Sequence, residues 1–236
     1  MSTFSAALSP SSTSALSWLG LALRLWARAP LRLSSVAFVP VVLEGLVQLV
    51  PYGGVAASKV LVTIASGWAL LVADAIARTG AGEPLRHIRT LAAACRGVLG
   101  VALLGLAVFA FQLAVCGLFA GPSQAAVLAT GQHQAITMSG ETLGWVFASG
   151  LLPGALLMFV LPIVVLEGRP LREAIRASVG TAFAHWVPVS LFTVLQFAMV
   201  VYVPRVPELL LVLLPFGLCS TYAIYRTVHA PRDHVL

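Results

Sequence analysis

Of the 236 residues, 59% are hydrophobic and 9% are charged, with a mean hydropathy of +0.98. Soluble domains carry about 25% charged residues, and a fold of this size has too little interior to hide so much apolar surface, so lipid must be the solvent. The net charge of +6 comes without an aromatic-interleaved basic patch, which excludes nucleic acid and points to membrane orientation and anionic phospholipid headgroups.

Along the chain, residues 1–17 are rich in Ser and Thr and carry no Lys or Arg. They lack the positive n-region of a secretory signal and read as a disordered cytoplasmic tail. A single helical domain is expected over residues 18–228, with a cytoplasmic tail at 229–236. Residues 15–29 pair Leu16, Leu19, Leu23 and Trp26 against Arg24 and Arg28, the pattern of an amphipathic helix at the membrane interface. Apolar runs long enough, or nearly so, to span a bilayer follow at about 31–50, 55–77, 97–120, 145–166, 187–203 and 209–226. Only Pro204-Arg205-Val206-Pro207-Glu208 divides the last two, as two spans joined by a turn or as one re-entrant pair.

Two more interfacial helices are predicted. One starts at Pro84 and enters the third span, with Arg86, Arg89 and Arg96 on one stripe and Leu85, Ile88, Ala92 and Cys95 on another. The clearest covers 170–186. There Leu171, Ala174, Ile175, Ser178, Val179, Ala182, Phe183 and Trp186 keep helical spacing opposite Arg172, Glu173 and Arg176. Arg24, Arg28, Arg86, Arg89, Arg172 and Arg176 are the candidate lipid-headgroup contacts. Twelve of the fourteen basic residues fall in segments that alternate spans bring to one side, leaving Lys59 and Arg205 for the other. The positive-inside rule makes that side cytoplasmic, with both termini.

Within the spans, ionisable residues are the default functional candidates. Glu44 and Lys59 flank the turn Pro51-Tyr52-Gly53-Gly54 and lie within about 3 Å of one depth, so an interhelical salt bridge is predicted. Asp74 shares a face with Lys59, Thr63 and Ser66 and is within reach of Arg78 and, across the hairpin, of Arg32. This stripe is either a polar path for an ion or a pair of register-fixing ion pairs; the second is the simpler reading. Ala65, Ala69, Ala73 and Ala77, and Gly150 with Gly154, are small-residue faces for helix packing. Pro40, Pro153, Pro162, Pro188 and Pro215 are expected to act as ordinary kinks.

The external segment 121–144, holding Gln132, His133, Gln134 and Glu141, is expected as a solvated loop. Cys95, Cys116 and Cys219 are scattered and read as buried small residues. No catalytic, metal or cofactor motif is present.

Gly82-Glu83-Pro84-Leu85-Arg86 recurs as Gly168-Arg169-Pro170-Leu171-Arg172, which implies an internal repeat of three plus three spans. The run Trp18-Leu19-Gly20-Leu21-Ala22-Leu23-Arg24-Leu25-Trp26-Ala27-Arg28-Ala29-Pro30 resembles the opening of an uncharacterised family of proteobacterial inner-membrane proteins. Val50-Pro51-Tyr52-Gly53-Gly54 and Pro162-Ile163-Val164-Val165-Leu166-Glu167-Gly168 resemble it further on, although His185 stands where that family has Asn. The resemblance implies a multi-helix inner-membrane protein and transfers no catalytic residue. The fold class expected is therefore an all-α polytopic bundle of about six spans. Two functions compete: a non-catalytic membrane component that associates with lipid, a membrane-protein partner or a second copy of itself, and a small transporter or channel using Lys59, Thr63, Ser66 and Asp74 with Glu44.

Overall fold

The computed structural model describes residues 13–80, 86–132, 135–202 and 206–229, and every regular element among them is helical. The first is α1 (Thr13–Arg28), which Pro30 separates from α2 (Pro30–Gln48). The hairpin partner of α2 is α3 (Gly54–Thr79). In the turn between them Tyr52 holds φ +64° and donates its N–H to the Thr130 carbonyl at 3.1 Å. A Cβ on Gly54 would lie 2.3 Å from the Val47 carbonyl oxygen, so only glycine lets the two helix ends cross so closely.

After α3, the chain forms α4 (His87–Ala93) and α5 (Cys95–Ala120). Next come α6 (Pro122–Thr130), α7 (Gly140–Ser149), α8 (Leu151–Leu157) and α9 (Val160–Leu166). The last helices are α10 (Leu171–Ala184), α11 (Trp186–Tyr202) and, beyond a 3-10 turn at Pro207–Leu209, α12 (Leu210–His229).

Four helices, α2, α3, α5 and α12, are each long and apolar enough to cross a membrane, and two bent pairs raise the number to six. The α7–α8 segment meets α9 at 43°, and α10 meets α11 at 97°. The protein is thus an all-helical polytopic membrane bundle. Lipid-facing surface is most plain on α5, which has a mean hydropathy of 2.5 yet is only 17% buried. Its Leu118 and Phe119 are 85% and 80% exposed, in keeping with surroundings of hydrocarbon.

Helix α3 is the most enclosed. Ala69, Ala73 and Ala77 are buried against α1, α2 and α12, where Ala22, Leu25, Leu33, Cys219 and Ala223 meet them. The alanine face therefore does pack helices closely. Gly150 likewise sits against the Gln112 amide, 2.3 Å from where a Cβ would lie, whereas Gly154 has nothing within 4 Å and packs no helix.

Several expectations need correction. Helix α1 already begins at Thr13 and α12 extends through His229, so the proposed tails at 1–17 and 229–236 are each partly helical; residues 1–12 and 230–236 lie outside the described residues. The segment 121–144 is no plain solvated loop. Helix α6 folds back on α5, and Cys116, Leu128 and Val146 join in a small core with Ile136 and Met138 around it. His133 and Gln134 lie outside the described residues, as do Arg205 and 82–85 in the first copy of the repeat. Cys116 and Cys219 are buried, but Cys95 is exposed.

Candidate functional site

One polar centre lies toward the end of the bundle that carries the α2–α3 turn. Lys59 Nζ is 2.6 Å from Glu44 Oε1, so the ion pair expected across the hairpin is present. The Gln48 amide donates to the same Glu44 oxygen at 3.1 Å and lies 3.4 Å from Ser58 Oγ. Lys59 also sits 5.8 Å from the centroid of the Phe109 ring on α5, a cation–π distance. Both charges therefore have several partners in an apolar wall, as an ionisable group at such depth requires.

This centre borders a cavity of about 730 Å³ between α2, α3, α8, α9, α11 and α12. Ser66, Gln196 and Thr221 supply further polar atoms, and Phe192, Leu195 and Leu214 are among the apolar walls. Asp74 does not line it. Its Oδ2 pairs with Arg78 Nε at 2.9 Å, and its Oδ1 accepts from the Tyr222 hydroxyl at 2.8 Å. The partner from another helix is thus Tyr222 and not Arg32; among the described residues no ion pair joins Arg32 to Asp74. Thr63 is turned back on its own helix, donating to the Lys59 carbonyl at 2.8 Å. The predicted stripe is consequently split between two sites.

Asp74 belongs to a second polar centre at the opposite end. Tyr225, one helical turn beyond Tyr222, donates to Glu167 Oε1 at 3.0 Å, and Arg169 Nε meets Glu167 Oε2 at 2.5 Å. His229 stacks on Tyr225 with centroids 5.6 Å apart, lies 3.9 Å from Glu167, and shares a 3.1 Å hydrogen bond with Thr181 of α10. On the α1 side, Arg28 Nη1 donates to the Ala77 carbonyl at 3.0 Å, placing a cation on the partial negative charge at the end of α3. None of Glu167, Tyr222, Tyr225 or His229 was singled out from sequence. The i, i+3, i+7 spacing of Tyr222, Tyr225 and His229 on α12 was the available signal, but the partners of the two tyrosines lie 148 and 58 residues away.

Five of the six candidate lipid contacts, Arg24, Arg86, Arg89, Arg172 and Arg176, are exposed and make no inter-element bond among the described residues, while exposed Arg28 caps α3. The faces of their helices differ from expectation. In α1 the bundle meets Trp18, Ala22 and Leu25, and Leu19 and Leu23 point outward. In α10 the bundle meets Ala174, Ser178 and Ala182, the centre of the stripe assigned to lipid. What remains outward is Arg172 and Arg176 in the first turns and Phe183, 67% exposed, in the last, next to Trp186 at 65%. Helix α4 buries no residue, and Ile88 stays exposed.

The buried face of α10 has a further task. Pro162 cannot donate to the Met158 carbonyl and its ring collides with it, which breaks α8 from α9. Ser178 Oγ enters that break, accepting from Phe159 N–H at 3.2 Å and donating to the Leu156 carbonyl at 2.7 Å. Gln112 of α5 does the same at the earlier break near Pro153, donating to the Phe147 carbonyl at 2.9 Å.

Among the described residues, no three His, Cys, Asp or Glu side chains gather as a metal site would need. Compared with protein-family models, curated proteins and solved structures, the chain matches none.

Proposed function

We propose that this chain is a non-catalytic component of the bacterial inner membrane that associates with anionic phospholipid through the helices at its arginine-rich, cytoplasmic end. The observation that carries the reading is the right-angled pair α10–α11. Pro188 collides with the Ala184 carbonyl and stops α10, and the chain turns 97°. That leaves Arg172 and Arg176 exposed on a helix that runs across the bundle end, with Phe183 and Trp186 at its tip. An arginine at an anionic surface contributes about 1 kcal/mol, and tryptophan favours the headgroup level.

Against a channel along α3, the polar groups do not form one path. Lys59 and Glu44 neutralise each other, Thr63 is bonded to its own helix, and Asp74 sits in a separate cluster. A membrane location rests on composition, and the bacterial inner membrane in particular on the resemblance of 18–30 and 162–168 to proteobacterial inner-membrane proteins.

Site-directed spin labels test the reading. In anionic bilayers, labels at Arg172 and Arg176 should report headgroup depth, and labels at Phe183 and Trp186 should contact a lipid-soluble quencher. Four labels that see only water-soluble quencher would remove lipid association by α10.

A further inference from the structure

We infer that the cavity between α2, α3, α11 and α12 is a binding site for an uncharged amphiphile dissolved in the membrane, one with a hydrogen-bonding head of carbonyl or hydroxyl groups and a hydrocarbon tail. Three observations carry this. The volume, about 730 Å³, lies within the roughly 300–1,000 Å³ of small-molecule sites. Its walls are mainly apolar side chains, such as Phe192, Leu195 and Leu214. Its polar atoms are set back from the helix ends: Lys59 and Gln196 lie about 8–9 Å along their helices from the turn end, and Ser66 and Thr221 about 16–18 Å.

The head must be uncharged because the site is already neutral. Lys59 and Glu44 are in contact at 2.6 Å, and a phosphate or carboxylate at this depth would have to displace one of them and leave a charge unpaired. It must also hydrogen-bond. Gln196 has no hydrogen-bond partner among the described residues, and an amide left unmatched in hydrocarbon is costly. A carbonyl or hydroxyl head supplies what that amide lacks while its tail lies along the leucines. Two membrane components share this chemistry, diacylglycerols and isoprenoid quinones. The inference is independent of the lipid association proposed for α10, which concerns the opposite end of the bundle.

The test uses the full chain in nanodiscs and three probes with a photoreactive diazirine in the tail: a diacylglycerol, an isoprenoid quinone and phosphatidylglycerol. At least one neutral probe should label α11 or α12 saturably, in competition with its unlabelled form, and which one does so identifies the source. Phosphatidylglycerol should label diffusely without saturation. Gln196→Leu should raise the half-saturating concentration about tenfold, the equivalent of about 1.4 kcal/mol for a lost hydrogen bond. Gly217 lines the cavity and has nothing within 4 Å of a Cβ, so Gly217→Leu should fill the space, abolish saturable labelling and leave the melting temperature at or above that of the parent.

Three results overturn the proposal: no saturable labelling by either neutral probe, equal saturation by phosphatidylglycerol, or unchanged binding in Gly217→Leu. The comparison of neutral with anionic probes on the unaltered protein decides the matter even if a variant fails to fold.

Discussion

Glu44 and Lys59 are each held by more than the other. Glu44 accepts from Gln48 as well as Lys59, and Lys59 lies near the Phe109 ring. Removing one charge leaves its partner unpaired in a largely apolar wall, whereas removing both leaves no uncompensated charge there. Glu44→Leu and Lys59→Met should therefore each destabilise the hairpin, and the double variant should regain much of the loss. Measured couplings between polar side chains in membranes average about 0.6 kcal/mol and reach about 1.7, and the upper half of that range is expected here because both groups are charged. Reversible unfolding of the four proteins in mixed micelles gives the number. A coupling of zero would mean that Gln48 and Phe109 satisfy the charges without the pair. This ion pair was legible in the sequence because a tight turn fixes the depth of both residues. The Tyr222–Asp74 bond was not, since nothing local brings α12 to α3, and the nearer candidates Arg78 and Arg32 both carried the complementary charge.

Helix ends were easier to anticipate than helix faces. Pro30, Gly53-Gly54 and Pro188 interrupt the backbone, so α1 ends, and α2, α3 and α11 start, close to where residue type alone puts them, although Pro40 and Pro215 sit inside unbroken helices. Faces depend on what lies opposite. In water an apolar stripe must turn inward, but in lipid both sides of a helix can be apolar, and periodicity then fails to say which side meets protein. That is why Trp18, Ala22 and Leu25, and not Leu19 and Leu23, pack on α12. It is also why the small residues of α10 turned out to serve the broken α8–α9 span. Ser178→Val should leave the Phe159 N–H buried and unmatched, a loss of about 1–3 kcal/mol. Thr193→Ala makes the control: its hydroxyl bonds only the Val189 carbonyl of its own helix at 2.8 Å, so its removal should cost a small fraction of that. Thermal denaturation in one detergent compares them, and equal losses would deny Ser178 its part in holding the break together.

At the level of the whole molecule, the contacts define two ends and the number of crossings between them. Tyr222 bonds Asp74, Tyr225 bonds Glu167 and Arg28 bonds Ala77, so the C-terminal ends of α3, α9 and α12 share one end with α1. At the other end the Tyr52 N–H meets Thr130, the Cys116–Leu128–Val146 core joins α5, α6 and α7, and Trp145 lies 5.9 Å from Phe197 of α11. The chain leaves the first end along α5 and is back there at Glu167, so the broken segment α7–α8–α9 makes the return between them. Helix α11 then goes out with 17 residues, about 25 Å, and α12 comes back. Six crossings follow, against four if only the unbroken helices α2, α3, α5 and α12 spanned. The two counts differ at one segment. With six, a reporter fused after Arg176 is cytoplasmic, as is one after Arg96, and one near His133 is on the far side. With four, Arg96 stays cytoplasmic and His133 stays on the far side, while Arg176 changes to the far side together with Arg169 and Arg172. That reversal would put three arginines against the positive-inside rule and separate Glu167 from Tyr225. Paired phosphatase and fluorescent-protein fusions at these positions should therefore give cytoplasm, far side, cytoplasm in chain order, and a far-side signal after Arg176 would reject the six-crossing bundle.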